Sequence, residues 1–314
     1  MKEVGRGAAE GIDAVAGDLS VGECRRTGMT TPTERAELFR ALHRGPKPFV
    51  LPNAWDVPSA RVFEDAGFPA VATSSAGILV SHGFRDGEEM PRRELISAVA
   101  RIAERLSIPL SADVVSGYGR RERDVARTIE LVLDAGAVGV NVEDLHPSHE
   151  GLLRLDSQLR RLAVVRRVAT ERGIPLVLNA RTDAFRHAPG DETARLREAI
   201  RRASAYRDAG ADCVYPMGLT DANSIATFVE ALGCPVNVMV RRGLPPLAEL
   251  EKLGVRRVSF GPSASYAAMG LLQRVSREVR EQGRFDSLLE GAIGFEELNG
   301  LAVRRDARAV GPPT

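Results

Sequence analysis

The chain has almost no lysine. Of its 43 basic residues only Lys2, Lys47 and Lys252 are lysines, and the rest are arginines. Schiff-base chemistry needs a lysine at a reactive position, and none stands at the end of a strand-like run: Lys47 precedes the first run and Lys252 falls in a helical segment. Cysteine is equally scarce. Cys24, Cys213 and Cys234 have no metal-ligand spacing and make no disulfide framework, and Cys213 and Cys234, in or beside apolar runs, read as inert core thiols. Charge of one sign is missing too. A formal net charge of +1 sets up no field to draw the protein onto nucleic acid or an anionic membrane. No apolar run approaches the roughly 18 to 20 residues that span a bilayer. The acids Glu3, Glu10, Asp13 and Asp18 interrupt the first 25 residues, which argues against a signal peptide and for a cytoplasmic location.

What the chain does have is a repeat. From about residue 46, short β-branched runs alternate with longer amphipathic segments. The strand candidates are Phe49–Asn53, Ala70–Ser74, Pro109–Asp113, Val138–Glu143, Pro175–Ala180, Cys213–Met217, Pro235–Met239 and Arg257–Gly261. Helical periodicity lies between them, as in Asp124–Ala135, Ser157–Arg172 and Glu192–Ala209. Turns such as DAGFPAV, DAGAVGV and DAGADCV supply the glycine that stops one helix before the next strand begins. Eight βα units predict a (β/α)8 TIM barrel. An open doubly wound sheet is disfavoured, because its first βα turn would carry a glycine-rich nucleotide fingerprint and reads NAWDVPSA instead. Residues 1–30 read as a flexible extension, 31–300 as one barrel domain and 301–314 as a tail. Thr31–Arg44 reads as a helix closing the barrel floor, with Thr31 or Thr33 as its cap. Helices at Ser265–Gln282 and Phe285–Leu298 exceed what a barrel requires, and a homo-oligomer assembled through them is expected.

The active end of such a barrel is the C-terminal end of its strands. Reading those ends in order gives Asn53, Trp55 and Asp56; Thr73, Ser74 and Ser75; Asp113; Glu143 and Asp144; Asn179, Arg181 and Asp183; Asn237; Ser259 and Ser263. Any one of these carboxylates could be a structural partner of an arginine; the whole set is an odd way to build a scaffold. Asp113 and Glu143 end consecutive strands and offer oxygen ligands to a hard divalent cation such as Mg²⁺. Arg181 ends the next strand, where its fork can clamp a substrate carboxylate. The small-residue turn Thr73 to Gly77 can aim N–H groups and hydroxyls at developing negative charge. Together they suit the holding of a small carboxylate beside an enolate.

These residues carry a resemblance. SADVVSGYG is similar to the signature Asp-x-Asp/Glu-x-Gly-Tyr-Gly of the phosphoenolpyruvate mutase/isocitrate lyase superfamily, matching at Asp113, Gly117, Tyr118 and Gly119. GVNVED matches at Glu143 and Asp144, NARTDAF at Arg181 and SHGFRDGE at Asp86, while VRRVSFGPS resembles the last strand. The similarity runs through roughly residues 32 to 300. It implies a Mg²⁺-assisted lyase or hydrolase that cleaves a C–C bond of a small 2-oxo or 2-hydroxy dicarboxylate through a pyruvate-enolate-like intermediate. A C–P mutase or hydrolase is the other branch it leaves open. By position the N–H groups of Ser75 and Ala76 would receive the enolate oxygen, and Ser74 and Arg181 would hold the carboxylate. Asp113 would ligate the metal, Glu143 would do so directly or through water, and Asp86 would join the catalytic group. Trp55, Tyr118 and Asn237 would line the substrate.

Two departures stand out. Val115 replaces the signature's second acid, which weakens the expected hold on Mg²⁺ unless waters or Asp86 compensate. The gating segment that in the lyases carries a cysteine acid/base reads DLHPSHEGLLRLD, with no cysteine. That argues against isocitrate or methylisocitrate lyase activity proper. His149 could supply the acid/base instead, since imidazole titrates near working pH; with His146, it could equally be a solvated loop residue. A non-catalytic barrel that only binds a carboxylate is the rival of a different class, and substrate depletion would discriminate it. A phosphorylated sugar is disfavoured, because MVRRGLPP and FGPSAS are poor phosphate loops.

Overall fold

The computed structural model describes residues 31–146 and 151–303. The strands are β1 Phe49–Leu51, β2 Asn53–Ala54, β3 Val71–Thr73, β4 Leu110–Asp113, β5 Gly139–Glu143, β6 Val177–Thr182, β7 Cys213–Pro216, β8 Asn237–Met239 and β9 Arg257–Ser259. All pair in parallel, in the orders β2-β3-β4-β5-β6-β7 and β1-β9-β8. Two links join these runs into a ring. β1 and β2 are one strand interrupted at Pro52, which has no N–H to give but whose carbonyl accepts from Ala72 N at 2.8 Å. On the far side Val214 bridges in parallel to Val236, and its N–H donates to the Pro235 carbonyl at 3.0 Å. The result is an eight-stranded (β/α)8 barrel.

The helices follow from their caps and stripes. Pro32–Leu42 starts at a capping box in which the Thr31 hydroxyl accepts from Glu34 N and the Glu34 carboxylate accepts from Thr31 N. It buries Ala36 and Phe39, one turn apart. Asp56, Asp191 and Asp221 cap later helices by accepting from the backbone N–H three residues on, so Asp56 has a local structural task. Glu122–Asp134 buries Val125, Thr128, Ile129, Val132 and Leu133, the i, i+3, i+4, i+7, i+8 face of an amphipathic helix.

Alternation along the strands separates two cores. Residues such as Val140, Val142, Leu178, Val214 and Val238 face outward into the helix layer. A smaller plug of Phe39, Phe49, Leu51, Ala72, Val138 and Val177 fills the lower barrel. Gly139 makes room for it: a Cβ there would lie 2.5 Å from Phe39 Cε1.

Beyond β9, Ser263–Gln282 is one long helix, but the single helix expected over Phe285–Leu298 is two, Asp286–Leu289 and Phe295–Ala302. Gly291, at φ +69°, breaks the run. Tyr266, Met269, Leu272, Leu289 and Phe295 on these helices are exposed. Among the described residues no helix is long and apolar enough to cross a membrane. The expected extension over residues 1–30 lies outside the described residues.

Candidate active site

The mouth of the barrel gathers its charge around Arg181. The register places Arg181 beside Glu143 on β5 and Tyr215 on β7. Its guanidinium grips Asp183 with two parallel hydrogen bonds, Nε to Oδ2 at 2.8 Å and Nη2 to Oδ1 at 2.9 Å. Nη1 is 2.7 Å from Glu143 Oε2, and the cation stands over the Tyr215 ring. The arginine expected to meet a substrate carboxylate therefore already holds two carboxylates of its own. Asp183 stood among the strand-end acids, but this part of its role was not read from sequence; only the two-residue spacing of RTD hints at it.

Electrostatics at this cluster are unbalanced. Burial drives the Glu143 carboxyl well above the usual range, and the carboxylates of Asp183, Asp113 and Asp86 add to the rise against the pull of Arg181. Burial opposes the charge on Arg181, yet Glu143 and Asp183 outweigh it and hold its pKa above the ordinary value. Negative charge exceeds positive.

Asp144, the next residue on β5, faces the other way. Its carboxylate accepts from Thr182 Oγ1, Asp183 N, Arg202 Nη1 and Tyr206 Oη, all within 3.1 Å. It is a structural hub that fixes Asp183 from behind.

Asp113 closes β4. Its Oδ2 accepts from Ser75 Oγ at 2.7 Å and Ser75 N at 3.2 Å, and its Oδ1 accepts from Asn141 Nδ2 at 3.0 Å and Val115 N at 3.3 Å. The Ser75 N–H expected to face an enolate oxygen thus points at a carboxylate. Ser74 caps the helix Ser75–Ser81 through a bond from Gly77 N to its Oγ at 3.1 Å, and Ala76 is buried in the helix's first turn. Trp55 is half-buried against this turn; a Cβ on Gly77 would lie 2.9 Å from its Cβ.

The signature turn after Asp113 is held from three sides. Arg161 donates to the Ser116 and Gly119 carbonyls, and Thr128 donates to the Gly117 carbonyl. Glu88 Oε1 accepts from Ser116 Oγ at 2.6 Å and Tyr118 N at 2.8 Å, tying the Asp86 loop to the turn. Sequence reasoning did not single out Glu88; its place two residues after Asp86 was the available signal. The restraints hold Val115 at φ +55° and Tyr118 at φ +57°, where side chains other than glycine are strained. Tyr118 Oη is buried without a hydrogen-bond partner, and burial together with Glu88, Asp113 and Asp86 raises its pKa.

Other expected residues lie elsewhere. Asn237 opens β8 rather than ending it, two residues below Met239, and donates to Ser259 Oγ at 3.1 Å. His146 N donates to the Gly151 carbonyl at the base of the gating segment. His149 lies outside the described residues. Cys213 is fully buried, and burial pushes its thiol up to about 12.

The donor chemistry fits a hard cation. Among the described residues no group of three or more His, Cys, Asp or Glu is poised around one point. Asp113 and Glu143 nonetheless supply carboxylate oxygens in a region of excess negative charge, and Mg²⁺ ordinarily takes one or two carboxylates plus water and substrate oxygens.

A barrel whose strand ends converge on an arginine and several carboxylates defines a class of enzyme that handles small anions. Residues 39–280 match the model of the phosphoenolpyruvate phosphomutase family, and the chain belongs to that family. It is 37% identical over 273 residues to an uncharacterised protein of Mycobacterium tuberculosis H37Rv, covering 86% of this chain and 98% of that one. It is 28% identical over 266 residues to the 2-methylisocitrate lyase of Bacillus subtilis, covering 81% and 85%. The structure of an oxaloacetate acetylhydrolase bound to 3,3-difluorooxalacetate superimposes with a TM-score of 0.77 at 25% identity, covering 87% and 94%.

Proposed function

We propose that this protein is a Mg²⁺-assisted lyase or hydrolase that breaks a C–C bond of a small 2-oxo or 2-hydroxy dicarboxylate through a pyruvate-enolate-like intermediate. The carrying observation is the cluster at the mouth, where Arg181 is buttressed by Asp183 and meets the Glu143 carboxylate, the kind of contact a substrate carboxylate would make. On substrate entry Arg181 keeps its buttress, Asp183, and turns its remaining donors to a substrate carboxylate. Asp113 and Glu143 would hold Mg²⁺, which supplies positive charge where an enolate oxygen develops. Ser74, Ser75 and Ala76 line the same spot from the start of one helix, Trp55 and Tyr118 wall it, and Asp86 completes it. In the hydroxy-acid case the hydroxyl proton leaves to a base and C–O becomes C=O as the neighbouring C–C bond breaks. The electron pair passes to an enolate that is then protonated. His149 is assigned the acid/base role, since neither Cys213 nor Cys234 belongs to the mouth.

A second reading, C–P bond chemistry on a phosphonate analogue, is favoured by the description of the matching family itself. A turnover panel of oxaloacetate, substituted malates, methylisocitrate and phosphonopyruvate, run with Mg²⁺ and with EDTA, separates them. Pyruvate or oxalate released only with metal supports the C–C reading, and phosphate release supports the second. Silence from folded protein shifts weight to an unusual substrate or to the carboxylate-binding barrel.

The exposed apolar helices after β9 support a homo-oligomer, and light scattering of the full chain tests it: a monomer at micromolar concentration ends that reading. A cytoplasmic location is part of the same proposal.

A further inference from the structure

Beside the mouth lies a second cavity, of about 490 Å³, that the proposed reaction does not use. Its walls are the segments that follow three consecutive strands: Arg186 after β6, Gly218 and Thr220 after β7, and Arg241 and Arg242 after β8. Arg195 enters from the helix Glu192–Asp208. Four guanidinium groups meet a single carboxylate there, that of Glu192.

The cavity's arginines are short of partners. Among the described residues Arg195, Arg241 and Arg242 form no ion pair, and Arg195 Nε is buried without a hydrogen bond. Arg186 comes within 3.8 Å of Asp183 Oδ1. In a second basic cavity, lined by Arg120, Arg121, Arg123, Arg160 and Arg161, two of the five arginines are engaged. There Arg160 pairs with Glu122 and Asp156, and Arg161 is spent on carbonyls. Four like charges that meet only Glu192 and, at 3.8 Å, Asp183 repel one another, and an anion reduces that cost. The backbone also makes room for them. Gly218 sits at φ +92°, and a Cβ there would lie 2.8 Å from Arg186 Cγ and 3.8 Å from Arg241 Nη1.

We propose that this cavity is an oxyanion subsite that takes a phosphate or phosphonate group. Guanidinium forks match tetrahedral oxyanions with paired N–H donors, and the Thr220 hydroxyl adds one more. Through Asp183, which Arg181 grips and Arg186 approaches, the subsite adjoins the mouth. The group can arrive in two ways, as the far end of a substrate seated at Arg181 or as a separate small phosphorylated ligand.

The test is calorimetric titration of the full chain with inorganic phosphate at fixed, low ionic strength, since exposed arginines lose affinity to salt. Arg241→Gln/Arg242→Gln should weaken phosphate binding roughly tenfold or more, while Arg181→Lys leaves it unchanged. A substrate-borne group would show as competition between phosphate and substrate and a raised KM at constant kcat in the double variant. A separate ligand would bind alongside substrate. Two results overturn the subsite: no phosphate binding by the wild type at about 1 mM, or equal affinity in wild type and double variant. Binding is read without turnover, so this test can fail while the proposed reaction stands, or the reverse.

Discussion

At the mouth of the barrel Arg181 is gripped by Asp183 and paired with Glu143, whereas at the floor the buried Arg257 forms no ion pair among the described residues. Arg257 Nε and Nη1 lack partners, its cation rests over the Phe39 ring, and burial pulls its pKa down. His43 beside it is driven to about 3, by burial first and by Arg257 second, so the floor keeps its imidazole neutral. One end of the barrel concentrates opposite charges that can change partners; the other suppresses charge and packs aromatic edges, Phe39 against His43 and Phe49. Reactive capacity and stability thus reside at opposite ends of the same strands.

The sharpest way to break this contrast is at Arg181. Arg181→Ala should cost roughly 10² to 10³ in kcat/KM, the scale of losing a preorganised donor to developing charge. It should also destabilise the fold by about 3–5 kcal/mol, because Glu143 and Asp183 are left buried without their cation. Arg181→Lys, which keeps the charge and loses the fork, should spare most of the stability and little of the rate. A lysine variant with full activity would remove Arg181 from the substrate.

Phe39→Ala is the counterpart at the floor. Loss of a fully buried ring should cost about 3–5 kcal/mol, read as a lower urea midpoint, with kcat within about twofold of wild type below the transition. A floor variant that lost turnover but not stability would show that the two ends are coupled.

His43 sharpens the same point through pH. Its folded pKa is about 3 and its unfolded value is that of an ordinary imidazole, about 6.5, so between these values the unfolded chain binds more protons. The stability tied to neutral His43 is whole above pH 6.5 and is lost as pH falls toward 3, by up to about 1.4 kcal/mol per unit. His43→Gln keeps a donor for the Phe39 carbonyl, which His43 Nδ1 meets at 2.8 Å. The acid slope of unfolding free energy should be shallower by that amount in the variant, and parallel slopes would show that His43 does not titrate on unfolding.

How much of this was visible in the sequence depended on whether a feature was periodic or relational. All eight strands and the amphipathic helices were legible, because the alternation and the glycine stops are local. Even the floor helix announced itself, with Thr31 as its cap. The break at Gly291 was missed, since the apolar residues on either side of it keep a helical spacing that a single run also satisfies. At the site, Asp113, Glu143 and Arg181 were legible as strand-end residues. The grip of Asp183 on Arg181, the link from Glu88 to the signature turn and the use of the Ser75 N–H by Asp113 were not. Each depends on where a loop closes or on cross-strand register, and no spacing encodes that. Asn237 was grouped with the strand ends, yet it opens β8 and Met239 closes it, because the apolar run does not mark where the ladder stops.

Val115 offers the smallest and most discriminating change. It stands where the family signature has a second acid, and the turn holds it at φ +55°, a region that costs a β-branched residue about 1–2 kcal/mol and suits aspartate better. Val115→Asp therefore relieves backbone strain while giving up about 1.5–3 kcal/mol of buried apolar side chain. It also brings a carboxylate toward Asp113 and Glu143. Without metal the new carboxylate, buried beside Asp113 and Glu143, leaves the variant less stable than wild type. Mg²⁺ should recover part of that loss, because binding stabilises the fold in proportion to the logarithm of affinity, and a further carboxylate raises affinity. The upward shift in Tm on adding millimolar Mg²⁺ should thus be larger in Val115→Asp than in wild type. Equal shifts would mean that the ion does not sit beside this turn, and Asp113 would lose its role as ligand.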